Sequence, residues 1–138
     1  MSVLGIDDLP FIEFGSDIQR KVRLVVSPWT NPAGGAIVVH VTLPPGGISE
    51  GHVHPDCDEI IHFDRAGLVV IDGVETRVRK NSVVVATKGC LHECRNTSAR
   101  QTLHLLCFFS PAFQPYGRYP ELIEATKRHL SSKGKSSL

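Results

Sequence analysis

Short runs of β-branched and other apolar residues, separated by clusters of turn-forming residues, occupy most of the chain. Runs of this length and composition are typical of β-strands. The predicted strands are Lys21–Ser27, Ala36–Leu43, Asp58–Asp64, Leu68–Ile71, Glu75–Arg79, Ser82–Ala86, Cys90–Arg95 and Thr102–Phe109. Many short strands at regular spacing favour an all-β sandwich or barrel.

Turn-forming segments separate these strands, among them Asn31–Gly35, Pro44–Gly47 and Asn96–Ala99. Proline, glycine, asparagine and serine interrupt strands because their backbone preferences or side-chain hydrogen bonds suit turns. Asp72 and Gly73 lie between two apolar runs, and an Asp-Gly pair in that position predicts a tight hairpin.

Alternation along two strands predicts which faces are interior. In the strand Cys90–Arg95, the charged residues Glu93 and Arg95 belong on the solvent face. His92 is on the opposite face, so we expect it to point inward beside two small thiols. One face of the last predicted strand is wholly apolar, and we expect it to line the interior. That face carries Leu103, Leu105, Cys107 and Phe109.

Near the C-terminus the pattern becomes helical. In YPELIEATKRHL, Pro120 suits the first turn of a helix, and four residues share one face. They are Leu122, Ile123, Thr126 and Leu130. Residues 131–138 are polar and rich in serine and lysine, so we predict a disordered tail after a single domain that spans residues 1–130.

The charge balance makes some classes of partner unexpected. Fifteen basic and fourteen acidic side chains leave a formal net charge of +1, and no basic block stands out. We therefore expect no nucleic-acid partner and no membrane partner. The first residues have neither a basic start nor a long apolar run, so we expect no signal peptide and a cytoplasmic location with reduced thiols.

Candidate chemistry lies in the segment SEGHVHPDCDEIIHF. His52 and His54 are one residue apart, and alternate residues of a strand point to the same side, so their imidazoles could bind one ion. Two acidic residues, Asp58 and Glu59, follow closely. A second segment, KGCLHECRN, supplies His92 from a later strand.

Together the two segments read Gly46-x5-His52-x-His54-x4-Glu59 and Gly89-x2-His92-x3-Asn96. This pattern resembles the two conserved motifs of the cupin superfamily, G-x5-H-x-H-x3,4-E-x6-G and G-x5-P-x-G-x2-H-x3-N. The chain departs from it in two turns. Seven residues rather than six separate Glu59 from Gly67, and Thr87 stands in the place of the proline. The departures leave the ligand positions intact.

The resemblance implies a single cupin-type jelly-roll β-barrel with a short C-terminal helix. It also implies one divalent transition metal (iron, manganese, nickel or zinc), held near the barrel mouth by His52, His54, Glu59 and His92. The motifs span residues 46–67 and 89–96. Homodimers are common in the family, and Leu105–Phe109 is apolar on both faces, so we expect a homodimer.

Strand parity decides between the two candidate carboxylates. Asp58 fits the shorter family spacing and Glu59 the longer one. A strand that begins at Asp58 puts Asp58 and His62 on one face. Glu59, Ile61 and Phe63 lie on the other face, which is richer in apolar residues and belongs inside. We therefore predict that Glu59 is the fourth ligand, or a catalytic base if it detaches when substrate binds. A register shift of one residue would reverse this assignment.

Other polar residues have simpler interpretations. A zinc knuckle at CLHEC is not expected, because no second Cys/His pair follows at zinc-finger spacing; Cys90 and Cys94 are predicted to fill interior space.

Cys57 lies in a loop and could be reactive, and Asn96 is expected to stabilise its own turn. Arg23 and Arg77 are predicted on solvated strand faces, with binding of an anionic substrate as the alternative. The remaining histidines, expected to be exposed or hydrogen-bonded, are His40, His62, His104 and His129.

One fold hosts many reactions, so the sequence defines the function less closely than the fold. We expect a metal-dependent enzyme that acts on a small-molecule substrate through neighbouring oxygen atoms. An oxygenase or other oxidoreductase is the first hypothesis. A lyase, isomerase or decarboxylase is the alternative, as is a cupin that binds a small molecule without catalysis.

Overall fold

The computed structural model describes residues 3–14, 20–31 and 35–136, and only the backbone of 133–136. These residues form nine strands and one α-helix, preceded by a short 3-10 helix at Ile6–Asp8. The strands are β1 (Ile12–Phe14), β2 (Arg20–Val26), β3 (Ile37–Leu43), β4 (Asp58–Phe63), β5 (Gly67–Ile71), β6 (Val74–Val78), β7 (Ser82–Ala86), β8 (His92–Arg95) and β9 (Leu103–Ser110). The helix is α1 (Tyr119–Ser136).

All eight predicted strands are present, and each predicted end lies within two residues of the observed one. Strand β1 was not predicted, because its three residues are too few to establish an alternation. The turn predicted at Asn31–Gly35 includes residues 32–34, which are outside the described residues.

The strands pair into two antiparallel sheets. The larger sheet has the order β1-β2-β3-β9-β4-β7, and the smaller one has the order β6-β5-β8. The predicted all-β fold with a C-terminal helix is confirmed, and the two sheets fit a jelly-roll sandwich. Closure into a barrel is not part of the described strand pairing.

The core is formed by alternate residues of the central strands. On β9 the predicted interior face is confirmed, since Leu103, Leu105, Cys107 and Phe109 are all buried. Their neighbour Phe108 is 40% exposed on the other face. Burial alternates in the same way on β4, where Ile61 and Phe63 lie in the core. The interior faces of these two adjacent strands therefore form one apolar wall.

Two turns depend on backbone conformations that the sequence indicated. Asp72 and Gly73 both have positive φ, as the predicted tight hairpin between β5 and β6 requires. Gly67 begins β5 where the backbone passes close to its neighbours. A Cβ atom there would lie 2.8 Å from the carbonyl oxygen of Arg95 and 2.9 Å from the Phe63 ring, so a larger residue would disturb the pairing of β5 with β8 and displace the Phe63 ring.

Helix α1 packs its apolar face on the core through Leu122, Ile123 and Thr126, while Leu130 is half-buried. It continues to Ser136. Residues 131–136 are therefore helical where a disordered tail was predicted, and residues 137–138 are outside the described residues. No helix in the described part of the chain is long and apolar enough to cross a membrane.

Candidate metal centre

Strand β4 carries the carboxylate of the site on its interior face. Glu59 is 5% exposed and lies on the same face as Ile61 and Phe63, as parity predicted. Asp58 faces outward, where its Oδ1 accepts a hydrogen bond from the backbone N–H of Lys88 at 2.8 Å. The two acidic neighbours therefore have different environments, and Glu59 alone of the two joins the histidines.

Backbone hydrogen bonds hold the two motif segments together. His52 and His92 form an antiparallel bridge, and each backbone N–H donates to the other residue's carbonyl oxygen at 3.0 Å. The N–H of Gly89 donates to the carbonyl oxygen of His54 at 2.9 Å. Strand pairing thus places His52 and His92, whereas His54 lies outside the strands, in the segment before β4, and is held there by the hydrogen bond from Gly89.

The three imidazoles converge on one carboxylate oxygen. The distance from Glu59 Oε1 to Nε2 is 2.8 Å for His92, 3.3 Å for His54 and 3.9 Å for His52. His54 and His92 are buried, whereas the His52 side chain is 33% exposed and forms the solvent side of the cluster. The four side chains predicted as ligands therefore come together, with one open edge.

Neighbouring carbonyl groups orient two of the rings. Nδ1 of His52 donates to the carbonyl oxygen of Glu50 at 2.9 Å. A carbonyl oxygen only accepts, so the ring proton is on Nδ1 and the lone pair is on Nε2. Nδ1 of His92 likewise faces the carbonyl oxygen of Cys90 at 3.4 Å. Both rings thus present Nε2 to the cluster as a potential ligand.

The charge state of the pair Glu59 and His92 reflects their contact. Burial alone would raise the pKa of Glu59, but the three surrounding imidazoles outweigh burial, and the pKa lies well below its ordinary value. Burial lowers the pKa of His92, but the Glu59 carboxylate raises it by more. Each group therefore favours the charged form of the other, and a carboxylate at this position is stable at neutral pH.

The donor set fits a metal ion. Nε2 of His54 is buried and has no hydrogen-bond partner among the described residues, although it lies close to Glu59. The lone pairs of the imidazole nitrogens and of the Glu59 carboxylate repel one another unless a cation, either a proton or a metal ion, lies between them. The four ligand atoms lie within 4.8 Å of one another. Opposite ligands of an ion with bonds of about 2.1 Å are roughly 4.2 Å apart, so small side-chain movements would suffice.

The cluster lies at a cavity of about 150 Å³ that extends into the core. Apolar side chains from β2, β3, β4 and β9 form most of its wall, among them Val22, Val39, Ile61 and Leu105. Tyr116, shortly before α1, and Tyr119, the first residue of α1, also border the cavity. A cavity of this size accommodates a ligand of about the size of benzene, and its apolar wall strengthens any charge interaction inside it.

Arg20 is a cavity residue that the sequence analysis missed. It lines the cavity together with Arg118, whereas Arg23 and Arg77, the arginines considered for an anionic substrate, do not. Arg23 instead donates from Nε to the carbonyl oxygen of Leu9 at 3.1 Å. Parity could have identified Arg20, because it is two residues before Val22 on the interior face of β2.

The cysteines lie outside the ligand set. In the described part of the chain, the group of side chains that could hold an ion includes none of them. Cys90 and Cys94 are buried, as predicted. Cys57 is buried as well, and burial raises the pKa of its thiol, so it is not the reactive loop cysteine that its position allowed.

Most other polar residues have the structural roles expected of them. Asn96 Oδ1 accepts a hydrogen bond from the N–H of Ser98 at 3.0 Å, which stabilises its own turn. His62 Nε2 lies 2.6 Å from the side-chain oxygen of Asn81. His40 and His104 were not expected to meet, but their rings stack with centroids 5.3 Å apart on the other face of the sheet.

Comparisons with known proteins agree with the fold. The family model described as "Cupin domain" matches residues 39–109. A search of curated proteins gave no match. A predicted oxalate decarboxylase from Thermotoga maritima is similar in structure, with a TM-score of 0.68, 18% identity, and coverage of 78% of this chain and 97% of that chain.

Two further solved structures are similar at low identity. KdgF from Halomonas sp. has a TM-score of 0.63 and 20% identity, and the match covers 83% of this chain and 96% of that chain. A recombinant oxalate oxidase in complex with glycolate has a TM-score of 0.53 and 24% identity, over 59% of this chain and 44% of that chain. At these identities the likeness concerns the fold alone.

Proposed function

The chain belongs to the cupin family, and from this premise we propose that it is a metal-dependent enzyme that acts on a small molecule. The main support for this proposal is the convergence of three imidazoles and one carboxylate at the cavity. Nε2 of His54 is buried there without a hydrogen-bond partner among the described residues. The proposed ligands are His52, His54, Glu59 and His92.

A bound divalent ion supplies Lewis acidity and, in the case of iron or manganese, access to redox chemistry. The chain's own groups define the rest of the site. Glu59 and His92 are buried on strands, and the buried His54 is held through its carbonyl oxygen by the N–H of Gly89, so the ligand geometry is preorganised. The apolar wall limits water around a substrate, and the exposed edge at His52 is a route for its entry.

Glu59 is the candidate general base. Its carboxylate is the acidic group of the cluster, and the surrounding imidazoles keep its pKa well below the ordinary value, so it is ionised at neutral pH. In the proposed mechanism Oε1 accepts a proton from the substrate if the carboxylate leaves the ligand set.

An oxygenase or other oxidoreductase is our first assignment, and a decarboxylase, lyase or isomerase is the second. Similar structures include a predicted oxalate decarboxylase and an oxalate oxidase with glycolate. Those names describe the other proteins. They favour small oxygen-rich acids as the first substrates to test here, and the cavity of about 150 Å³ suits molecules of that size.

The test begins with metal analysis of purified protein by plasma mass spectrometry. Protein reloaded separately with Fe²⁺, Mn²⁺, Ni²⁺ and Zn²⁺ is then assayed for oxygen consumption and product formation across small enols, oxo acids and hydroxy acids. We expect turnover with at least one ion, abolished by chelation and by Glu59→Ala. Asp58→Ala is the matched control, because this neighbour faces outward. Tight substrate binding without turnover would overturn the enzyme assignment in favour of a binding protein.

A further inference from the structure

Arg20 is a charged residue on the interior face of β2 that the metal site does not use. It lines the same cavity as the histidine cluster. A partly buried guanidinium needs hydrogen-bond acceptors or a negative charge to offset its lost hydration. Arg20 donates one hydrogen bond to the carbonyl oxygen of Ser49, and its guanidinium stacks on the ring of Phe14 at 5.0 Å. It forms no ion pair with any acidic residue that the structure describes.

Arg118, the other arginine of the cavity wall, has its partners within the protein. Its Nε and Nη2 atoms lie 3.2 and 3.1 Å from the two carboxylate oxygens of Glu121. Its Nη1 atom donates to the carbonyl oxygen of Glu13 at 2.7 Å. A bidentate pair of this kind satisfies both the charge and the geometry of the guanidinium. Arg20 is therefore the cavity arginine with donors left for a ligand.

We infer that the ligand of this cavity is a small carboxylate and that Arg20 binds its carboxylate group, an inference that rests on the proposed function of the same site. A guanidinium matches a carboxylate with two parallel hydrogen bonds. The cavity of about 150 Å³ admits an acid of only a few carbon atoms. One available arginine in a largely apolar wall suits a single negative charge better than the double charge of a phosphate group.

In this arrangement the two polar parts of the cavity have separate tasks. The histidine cluster would hold the ion that faces the oxygen atoms at the reacting end, and Arg20 fixes the carboxylate and so the orientation of the molecule. Arg20 is thus a specificity-determining residue. Neutral molecules of the same shape should bind weakly, because they leave a guanidinium partly buried without a counter-charge.

The experiment measures binding by calorimetry to folded full-length protein, both free of metal and loaded with Mn²⁺. The probes are glycolate, pyruvate and malonate, with glycolamide as the neutral analogue of glycolate and inorganic phosphate as a different anion. The variants are Arg20→Gln, Arg20→Lys and, as the matched control on the opposite face of β2, Arg23→Gln. Plasma mass spectrometry and circular dichroism establish that each variant keeps its metal and its fold.

We expect wild-type protein to bind at least one carboxylate, and glycolate about tenfold or more tightly than glycolamide. Arg20→Gln should weaken carboxylate binding about 10- to 100-fold without loss of metal, since a hydrogen bond to a charged group contributes that much. Arg20→Lys should have an intermediate affinity for carboxylates, because lysine keeps the positive charge but cannot form two parallel hydrogen bonds to a carboxylate. Arg23→Gln should bind like the wild type.

Three results would overturn the inference: equal carboxylate binding in Arg20→Gln and wild type, no carboxylate bound by the wild type, or phosphate bound more tightly than every carboxylate. If Arg20→Gln does not fold, two other measurements test the role of Arg20. They are the carboxylate affinity of Arg20→Lys and the ratio of glycolate affinity to glycolamide affinity in the wild type. A failure of the metal proposal can be distinguished from a failure of this inference. It would appear as the absence of bound metal, and the titrations of metal-free protein would still test carboxylate binding by Arg20.

Discussion

Nε2 of His92 lies 2.8 Å from Oε1 of Glu59, although the two residues are 33 positions apart and belong to different sheets. Glu59 comes from β4 of the larger sheet and His92 from β8 of the smaller one. The contact therefore depends on how the sheets pack against each other. A cation between the two groups would connect the sheets and stabilise the folded chain by its binding free energy.

The first prediction is that the three histidines act together in holding the ion. His92→Ala, or the double change His52→Ala and His54→Ala, should lower metal affinity by at least about 100-fold, since loss of an outer-shell partner alone costs 10- to 100-fold. The protein should still fold, because these side chains are not members of the hydrophobic core cluster. Plasma mass spectrometry measures the retained metal. His62→Ala is the control, and stoichiometric metal in His92→Ala would refute the assignment.

The second prediction compares the two adjacent carboxylates. Glu59→Ala removes the buried acid of the cluster and should weaken metal binding far more than Asp58→Ala. Asp58→Ala should instead cost roughly 1 kcal/mol of stability, because it removes the acceptor for the Lys88 N–H. Competition with a metal-sensitive dye and urea unfolding separate these effects. The reverse order of metal affinities would reassign the fourth ligand to Asp58.

Much of the fold and of the candidate site could be predicted because both depend on local alternation. Parity along β4 placed Glu59 inside and Asp58 outside, and the same reasoning turned His92 inward on β8. These assignments need only the strand period and the contrast between apolar and charged neighbours. A register shift at either turn would have reversed them, and none is present.

The residues that were missed depend on contacts between distant segments. Parity along β2 puts Arg20 on the interior face, but only the packing of β2 beside the histidine cluster shows that Arg20 lines the same cavity. The stacked pair His40 and His104 joins positions 64 residues apart on β3 and β9. Strand neighbours of this kind become visible only when sheet order and register are known.

The third prediction concerns the cysteines. Burial raises the pKa of Cys57, Cys90, Cys94 and Cys107, so each thiol is protonated near neutral pH and shielded from reagents. We expect a chromogenic disulfide reagent to react slowly with native protein at pH 7.5. All four thiols should react rapidly in 6 M guanidinium chloride, a concentration typical of full unfolding. Rapid reaction of one equivalent in the native state would identify an accessible cysteine and contradict the burial.

The fourth prediction is a loss of stability in mild acid caused by His40. Burial, followed by the positive charges of His104 and Arg23, lowers the pKa of His40 to about 4. The unfolded chain takes up this proton near pH 6.5, whereas the folded protein takes it up only near pH 4. The unfolded state therefore binds more protons between these values, and stability falls as the pH drops through that window.

The contribution of His40 should be on the order of 2 kcal/mol, since each pKa unit corresponds to about 1.4 kcal/mol and solvent screening reduces the full effect. His40→Gln removes the titrating group. Urea unfolding of metal-free wild type and His40→Gln at pH 7 and pH 4.5 measures the difference. The variant should lose less stability between the two pH values, and equal losses would contradict the prediction.

The last prediction is that the protein forms a homodimer through the outer face of β9, β4 and β7. Ile60 and Phe108 are directly paired on that face and are 39% and 40% exposed, and Val83 and Val85 on β7 are more exposed still. Helix α1 does not cover this face, because it packs against β2 towards the other end of the sheet. A continuous apolar strip on a sheet is the kind of surface that a second copy buries.

Light scattering at micromolar concentration should give twice the mass of the chain for wild type. Phe108→Asp should be monomeric with its bound metal retained, whereas Val74→Asp, an equally apolar exposed site in the smaller sheet, should remain dimeric. A monomeric wild type, or a dimer that survives Phe108→Asp, would show that this strip is not the interface.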